Sequence, residues 1–231
     1  MKLIVLEQAE STNTVLKQMC RDGADFGTVV YTENQTSGYG RRGKFWHSEA
    51  GSNISVSLSL RAFDGDGLLS LAAGVAVVDG IKAICGAHLP LGIKWPNDVL
   101  LGGKKLCGIS CEKIDNATLI VLGIGINVNN ADFPQGLTQT ATSLYLQTGR
   151  MWDLPLLRDE IVSRIFAGFS NDILEKVRQY CVNIGQNVRL YGEKGIVAQG
   201  EVIDIANDGS IVILHEDGEL KNYHSGEISL R

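Results

Sequence analysis

The sequence has 231 residues, 44% of them hydrophobic and 20% charged, which is long enough for one sizeable core and a small additional domain. The net charge is −5, and residues 184 to 231 contribute −4 of it, with four Lys or Arg against eight Asp or Glu. A nucleic-acid-binding protein is expected to carry a basic face, whereas the tight basic cluster here is only Arg41, Arg42 and Lys44. We therefore expect no DNA partner.

The sequence gives no signal for export or membrane insertion. The longest apolar stretch, residues 67 to 86, is interrupted by Asp79 and Lys82 and is interpreted as a buried helix. The amino terminus lacks a basic region followed by a long apolar one, so a cytoplasmic location is expected. The five cysteines are odd in number and contain no C-x-x-C pair, which argues against a disulfide framework and a zinc ribbon.

Strands and helices are predicted in alternation along the first half of the chain. Residues 3 to 6 indicate a strand, and Ser11 or Thr12 is placed to cap a helix that follows it. Residues 28 to 32 indicate a second strand. Residues 54 to 60 alternate Ile, Val or Leu with Ser, which predicts a half-buried strand.

The second half begins with the buried helix near residues 67 to 85. Gly102 and Gly103 lie between two apolar runs and predict a hairpin, and residues 118 to 128 predict a core strand. Asp153 and Pro155 predict the start of one long helix that runs to about Tyr180. Short β runs and Gly-containing turns follow, which indicates an α+β domain over residues 1–182 and a small β-barrel over residues 183–231.

The loop S-G-Y-G-R-R-G-K-F-W, residues 37 to 46, combines three glycines with three cations and predicts an anion-binding loop. Its letters nearly match a P-loop, but Phe45 stands where the magnesium-binding hydroxyl belongs, and a strand rather than a helix is predicted to follow. A P-loop nucleotidase is therefore rejected. The alternative of an exposed basic turn stays open on this motif alone.

Two further motifs carry polar groups or glycines in unusual places. In K-W-P-N-D-V-L-L-G-G-K-K, the predicted hairpin returns Lys105 over Asn97 and Asp98, so an amide, a carboxylate and an ammonium can face one pocket. A plain hairpin with solvated lysines is the alternative, which we assign to Lys104. In G-I-G-I-N, Gly123 and Gly125 interrupt an apolar strand and predict a pocket floor or, alternatively, a bulge.

Taken together, E-S-T-N at residues 10 to 13, the 37 to 46 loop, the 94 to 108 hairpin and G-I-G-I-N-V at residues 123 to 128 resemble the biotin protein ligase family in order and spacing. The resemblance implies a mixed β-sheet flanked by helices, related to class II aminoacyl-tRNA synthetases, with an SH3-like carboxy-terminal domain. It also implies adenylation of biotin with ATP, followed by transfer of biotin to a lysine of a biotin carboxyl carrier protein.

The same resemblance implies roles for individual residues. The biotin side is assigned to Ser11, Thr12, Asn13, Gln35, Tyr39, Gly40, Arg41 and Lys105, with Gly108, Gly123 and Gly125 leaving room for the ring. The ATP side is assigned to Arg41, Arg42, Trp46, Lys94, Asn97, Asp98 and Asn127. Lys105, Arg41 and Asp98 are the implied catalytic residues, with Asp98, assisted by Asn127, as a ligand of Mg²⁺.

This sequence departs from the family pattern at Tyr39 and Lys44, where arginines are frequent, so a side-chain contact from residue 39 is in question. The bifunctional members carry a DNA-binding winged helix before this region, and with only ten residues ahead of Ser11 no repressor role is expected. A lipoate ligase and a non-catalytic biotin sensor are the rival functions. Gln35 favours biotin over lipoate, and Lys105 with Asp98 favours catalysis. A homodimer stays open.

Overall fold

In a computed structural model, which describes residues 1–61, 66–114 and 118–230, the chain forms two β-sheets with helices on both faces of the larger one. Seven strands build the large sheet and five the small one. In chain order the elements are β1 Lys2–Leu6, α1 Thr12–Arg21, β2 Thr28–Thr32, β3 Asn53–Arg61, α2 Asp66–Cys85, β4 Leu91–Lys94, β5 Asp98–Leu101, β6 Lys104–Lys113, β7 Leu119–Asn127, α3 Leu144–Thr148, α4 Leu154–Phe166, α5 Ile173–Tyr180, β8 Asn187–Gly192, β9 Gly195–Ile205, β10 Ile211–His215, β11 Leu220–Tyr223 and β12 Glu227–Leu230.

The large sheet has the order β1-β2-β3-β7-β6-β5-β4 and is mixed, because β1 and β2 run parallel and the other pairs are antiparallel. Alternate side chains of a strand therefore pack into two separate layers, one on each face of the sheet. Leu16 of α1 packs with Val30 and Val121 on one face, whereas Val29 and Leu122 join the main core on the other. The predicted α+β class with a mixed, helix-flanked sheet is confirmed.

Local sequence signals place several element boundaries. Ser11 caps α1, with its hydroxyl accepting from the Thr14 N–H. Gly102 and Gly103 form the predicted turn between β5 and β6 with φ values of +58° and +78°. Positive φ at both central residues is the requirement of a type I′ hairpin turn, and glycine meets it without steric cost.

The prediction of a half-buried strand for residues 54 to 60 is wrong, because β3 is buried on both faces. Its three serines are buried, and Ser57 and Ser59 form side-chain hydrogen bonds within the protein. Ser59 Oγ donates to the Asp25 carbonyl at 2.8 Å, and Ser57 Oγ donates to Asn13 Oδ1 at 2.6 Å. The period-two alternation is present, but these two hydroxyl groups form hydrogen bonds with α1 and with the loop after it instead of with water.

The single helix predicted from Asp153 to Tyr180 is two helices, α4 and α5. Asp153 does cap α4, accepting from the Leu156 N–H at 2.8 Å. The break contains Gly168 at φ +83°, a left-handed conformation that ends helices. The apolar period continues across the break because both helices pack against α2.

Helix α2 is the central core helix. It is long and apolar enough to cross a bilayer, but 67% of its apolar window is buried within the protein, and it contacts α4, α5 and strands β4 to β6. A helix that is apolar on all sides is expected in such a position. A Cβ on Gly80 would lie 2.7 Å from Ile161 Cγ1, so the glycine permits close approach of α4.

The second sheet, ordered β11-β10-β9-β8-β12, forms the SH3-like domain and is fastened to the first through Trp95. The Trp95 backbone N–H donates to Asn183 Oδ1 at 2.8 Å, and its indole N–H donates to the Gly209 carbonyl at 3.0 Å. Arg178 and Asp204 add an ion pair at 2.7 Å. One hydrophobic cluster extends through both sheets, so the barrel is packed as part of the core.

We predict that Asn183→Ala destabilises the protein by about 1–3 kcal/mol, because the buried Trp95 N–H loses its acceptor. Asn183 is 1% exposed. The measurement is the midpoint of urea unfolding. The matched control is Asn171→Ala in the exposed α4–α5 connection, for which a change within about 0.5 kcal/mol is expected. Equal effects of the two substitutions would contradict this account of domain attachment.

Candidate active site

A cavity of about 230 Å³ opens between the start of α1, the loop over residues 35 to 46, the sheet strands β6 and β7, and the start of β12. It brings together every residue that the sequence assigned to the site, with one exception. The assigned residues that line it are Ser11, Thr12, Asn13, Gln35, Tyr39, Gly40, Arg41, Arg42, Trp46, Lys94, Asn97, Asp98, Lys105, Gly108, Gly123 and Gly125. The exception is Asn127.

One end of the cavity is polar and uncharged. The Thr12 N–H donates to Gln35 Oε1 at 3.0 Å, and the Thr12 hydroxyl lies 2.8 Å from Ser57 Oγ. Ser11, Thr12 and Asn13 are almost fully buried. Because hydroxyls and amides both donate and accept, this end suits a ligand that presents N–H and C=O groups side by side.

The Asn13 amide lies directly over Gly123. Gly123 pairs with Ser57 on β3 and with Ser110 on β6, and the amide bonds both serines, accepting from Ser57 Oγ and donating to Ser110 Oγ at 2.9 Å. A Cβ on Gly123 would lie 2.2 Å from Asn13 Oδ1. The sequence assigned the free space at Gly123 to a ligand ring, whereas the structure fills it with Asn13.

The indole of Trp46 lies over the next glycines along the sheet. A Cβ on Gly125 would lie 2.6 Å from Trp46 Nε1, and one on Gly108 would lie 2.9 Å from Cζ3 of the same ring. These two glycines therefore leave room for Trp46 in this arrangement. The Trp46 indole N–H is buried without a hydrogen-bond partner, and the cavity is smaller than the ~300–1,000 Å³ usual for ligand sites. Trp46 must move for a larger ligand to enter.

The opposite end of the cavity is charged. The β5–β6 hairpin returns Lys105 to Asp98, with Nζ 2.7 Å from Oδ1. Arg41 Nη1 donates to Asn97 Oδ1 at 3.1 Å, and burial, together with the nearby Arg42, lowers the Arg41 pKa. Two cations thus face one carboxylate, an excess of positive charge that suits an anionic ligand.

The loop that carries Arg41 is a small hairpin rather than the start of a helix. The Gly40 N–H donates to the Lys44 carbonyl at 2.8 Å, and the Trp46 N–H donates to the Gly38 carbonyl at 2.9 Å. Arg42 at its tip has φ +56°, a strained conformation for a residue with a side chain. Rejection of the P-loop is consistent with this geometry, because β3 follows the loop.

Asn127 lies apart from the cavity in a network of buried asparagines. Its Nδ2 donates to the Thr142 carbonyl at 3.1 Å, and its Oδ1 accepts from Asn53 Nδ2 at 2.9 Å. Asn53 Oδ1 in turn accepts from Asn130 Nδ2. The prediction that Asn127 assists Asp98 in binding Mg²⁺ is corrected accordingly. Both polar atoms of the Asn127 side chain form hydrogen bonds that join the end of β7 to β3 and to residue 142.

From the sequence, the barrel could either be purely structural or help to hold ATP or the acceptor, and none of its residues was assigned to the site. Gly226, Glu227 and Ile228 line one wall, and Glu227 pairs with Lys44 of the loop at 2.6 Å. The hydrogen bond from Lys44 lowers the pKa of Glu227. Ser110 was also missed, although its spacing of two from Gly108 on β6 places both on one face of the sheet.

Metal-cluster and thiol chemistry find no support in the parts of the chain that the structure describes. Those residues contain no group of three His, Cys, Asp or Glu side chains able to hold a metal ion. None of the five cysteines is in a disulfide, and burial raises the pKa of Cys85 to about 12, far from the range of a reactive thiolate. Lys104, predicted to be solvated, is half-buried, and its Nζ donates to the Thr138 carbonyl at 3.0 Å rather than facing the cavity.

Comparison with known proteins identifies relatives over the whole chain. Residues 5–129 match the biotin/lipoate A/B protein ligase family, and residues 184–231 match the biotin protein ligase C terminal domain. A bifunctional ligase/repressor from Bacillus spizizenii is 33% identical, covering 99% of this chain and 74% of the relative. A biotin–[acetyl-CoA-carboxylase] ligase from Mycobacterium tuberculosis is 34% identical over 92% of this chain and 83% of the relative.

Among solved structures, the biotin protein ligase from Aquifex aeolicus in complex with biotin and ATP has a TM-score of 0.87 and 31% sequence identity, covering 100% of this chain and 98% of the other. The similarity therefore includes the large sheet, the barrel and the cavity between them. On these matches, the chain belongs to the biotin/lipoate A/B protein ligase family and carries the carboxy-terminal domain of its biotin protein ligases.

Proposed function

We propose that this protein is an ATP-dependent biotin protein ligase that forms biotinyl-5′-AMP and then transfers biotin to a lysine of a carrier protein. The observation that carries the proposal is the division of one cavity into two ends. The uncharged end offers hydroxyl and amide groups that suit the ureido ring of biotin. The other end holds Arg41 and Lys105, which suit a carboxylate and phosphates.

In the first half-reaction, a biotin carboxylate oxygen bonds to the α-phosphorus of ATP and the bond to pyrophosphate breaks. Two unit negative charges at ~4 Å repel by about 4 kcal/mol at an effective dielectric of 20. Arg41 and Lys105 offset this repulsion with positive charge that is fixed before the reaction. Asp98 and Asn97 hold these two cations in place through the 2.7 Å and 3.1 Å contacts.

The charged end suits a magnesium ion most of whose ligands come from the nucleotide and water. Asp98 is the cavity carboxylate nearest Lys105, and Mg²⁺ in nucleotide sites commonly takes one or two carboxylates, with waters and phosphates as its other ligands. When bound, the ion would supply further neutralisation of phosphate charge. We propose Asp98 as its protein ligand and leave Asn127 out, since the Asn127 amide is fully engaged.

Nucleotide entry requires the loop to rearrange. Trp46 covers Gly108 and Gly125, and its unpartnered indole N–H is free to bond elsewhere after a move. We propose that Trp46 leaves the floor and packs against the nucleotide side of the adenylate, with Arg42 and Lys94 near the phosphates. Glu227 of the barrel stays bound to Lys44 of the same loop, so the barrel takes part in this rearrangement.

In the second half-reaction, the amine of the acceptor lysine attacks the acyl carbonyl and AMP leaves. Positioning of the amine and stabilisation of AMP account for this step, and no protein nucleophile is needed. We propose a biotin carboxyl carrier protein of a biotin-dependent carboxylase as the acceptor, since relatives are named biotin–[acetyl-CoA-carboxylase] ligases. The tight basic cluster lines the cavity, so we propose a protein rather than DNA as the macromolecular partner.

Two further proposals complete this assignment. We propose that the enzyme works in the cytoplasm and that it divides into a catalytic domain over residues 1–182 and a carboxy-terminal domain over residues 183–231. The second sheet, which begins at Asn187, supports the division.

The test of this function is ATP–pyrophosphate exchange with the purified protein and Mg²⁺, comparing biotin, lipoate and no added acid. Exchange stimulated only by biotin is the expected result. Exchange with lipoate alone would assign the chain to the lipoate ligases, and tight biotin binding without exchange would identify a non-catalytic biotin sensor.

We predict that Lys105→Ala abolishes biotin adenylation and leaves the fold intact. A charge-assisted contact to an anion is worth about 1.5–3 kcal/mol or more, and no other group in the hairpin replaces the ammonium. Biotin-dependent pyrophosphate exchange is the measurement. Lys104→Ala is the matched control, because that lysine is adjacent in sequence and also half-buried but does not line the cavity, and wild-type exchange is expected. Wild-type exchange by the Lys105 variant would disprove the catalytic role.

We also predict that Arg41→Gly shortens the residence time of biotinyl-AMP, because the contact between the loop and Asn97 is lost together with a fixed cation. The released adenylate would acylate lysines of an added bystander protein such as albumin. The measurement is biotin incorporation into that bystander. Arg150→Gly, at an exposed arginine stacked on Trp152, is the control, and equal bystander labelling by both variants would contradict the assignment.

A further inference from the structure

A lysine that does not line the cavity connects the loop to the polar end of the site. Lys17 follows Asn13 by one helical turn on α1, so the two side chains share a face. Both reach Glu112 on β6. Asn13 Nδ2 donates to Glu112 Oε1 at 2.8 Å, and Lys17 Nζ donates to Oε2 at 2.7 Å. One carboxylate therefore holds both residues, one on each oxygen.

Glu112 completes the hydrogen bonding of the Asn13 amide. Asn13 Oδ1 accepts from Ser57, and the two hydrogens of Nδ2 go to Ser110 and Glu112. This arrangement fixes which amide atom points to which strand. Without the carboxylate, the amide could reverse and present a donor where the site now presents an acceptor.

Lys17 also contacts the loop. Its Nζ lies 5.4 Å from the centroid of the Tyr39 ring, in a cation–π contact. Burial alone lowers the pKa of Lys17, but the interactions with Glu112 and the nearby Tyr39 outweigh it, and the net pKa is raised. The ammonium stays charged and binds two partners on different elements.

We propose that Lys17, held by Glu112, is a positioning residue that keeps the loop closed at Tyr39 and keeps the Asn13 amide oriented toward biotin. Tyr39 pairs with Phe45 across the loop, so fixing Tyr39 also fixes the strand that leads to Trp46. Tyr39 thereby gains a side-chain role in holding the loop. This inference rests on the proposed ligase activity.

The test compares Lys17→Met with Lys17→Arg in biotin-dependent pyrophosphate exchange. Methionine keeps the length of the apolar stem and removes the charge, and arginine retains a cation able to bond Glu112 and Tyr39. Lys17→Met is expected to raise KM for biotin about tenfold, with a smaller change in kcat, since a partly exposed charged hydrogen bond is lost. Lys17→Arg is expected to restore most of that loss.

Two controls separate this role from a general loss of stability. Lys221→Ala removes a lysine–glutamate pair of similar length on the barrel edge, 2.6 Å between Nζ and Glu219 against 2.7 Å for Lys17 and Glu112, and no change in KM is expected. Tyr39→Leu removes the ring that Lys17 contacts and carries the test if Lys17→Met does not fold. Its effect on KM should not add to that of Lys17→Met, because both substitutions break one contact.

The outcomes distinguish this inference from the function on which it rests. If the wild-type protein shows no biotin-dependent exchange, the proposed function fails and the inference fails with it. If the wild-type protein is active and Lys17→Met leaves KM for biotin unchanged, or lowers the melting temperature and kcat without raising KM, only the positioning role of Lys17 is overturned. Additive effects of Lys17→Met and Tyr39→Leu would likewise overturn it.

Discussion

The cavity depends on a steric constraint in the middle of the large sheet, where β7 carries no side chain at residues 123 and 125. At both positions a Cβ would lie less than 3 Å from a group that covers the strand, Asn13 at the first and Trp46 at the second. The start of α1 and the anion-binding loop can therefore approach the sheet backbone closely. A side chain at either glycine would displace one wall of the site, so the geometry of both walls follows from the absence of two Cβ atoms.

Polar groups on this face of the sheet are paired with each other rather than with water. Ser57 and Ser110 flank Gly123 from the neighbouring strands and bond the same amide. A buried polar group without a partner costs free energy, so each member restricts the orientation of the next. This restriction gives the uncharged end of the cavity defined donors and acceptors before any ligand arrives, which limits the reorganisation needed on binding.

The charged end and the barrel are linked to the same framework. The β5–β6 hairpin places Lys105 against Asp98. The strand before the hairpin ends at Lys94, and the next residue, Trp95, bonds both Asn183 and the Gly209 carbonyl of the second sheet. The barrel in turn supplies Glu227 to the loop that carries Arg41 and forms one wall of the cavity.

The sequence by itself determined the class of fold, the hairpin at Gly102 and Gly103 and the cap at Ser11, because these follow from local spacing and turn chemistry. The family resemblance of its motifs identified more than half of the residues that line the cavity. Contacts between distant segments were decided only by the tertiary structure. The serines of β3 were predicted to face solvent, one helix was predicted where Gly168 separates two, Asn127 was placed at the ligand, and the free space at the glycines was assigned to a ring. In most of these cases a local pattern showed that a residue was special, but the identity of its partner depended on which other segments of the chain fold against it. The same reason explains why the sequence did not single out Lys17, Glu112 and Glu227. A charged side chain on a helix or strand is expected to face solvent unless its partner in the fold is known.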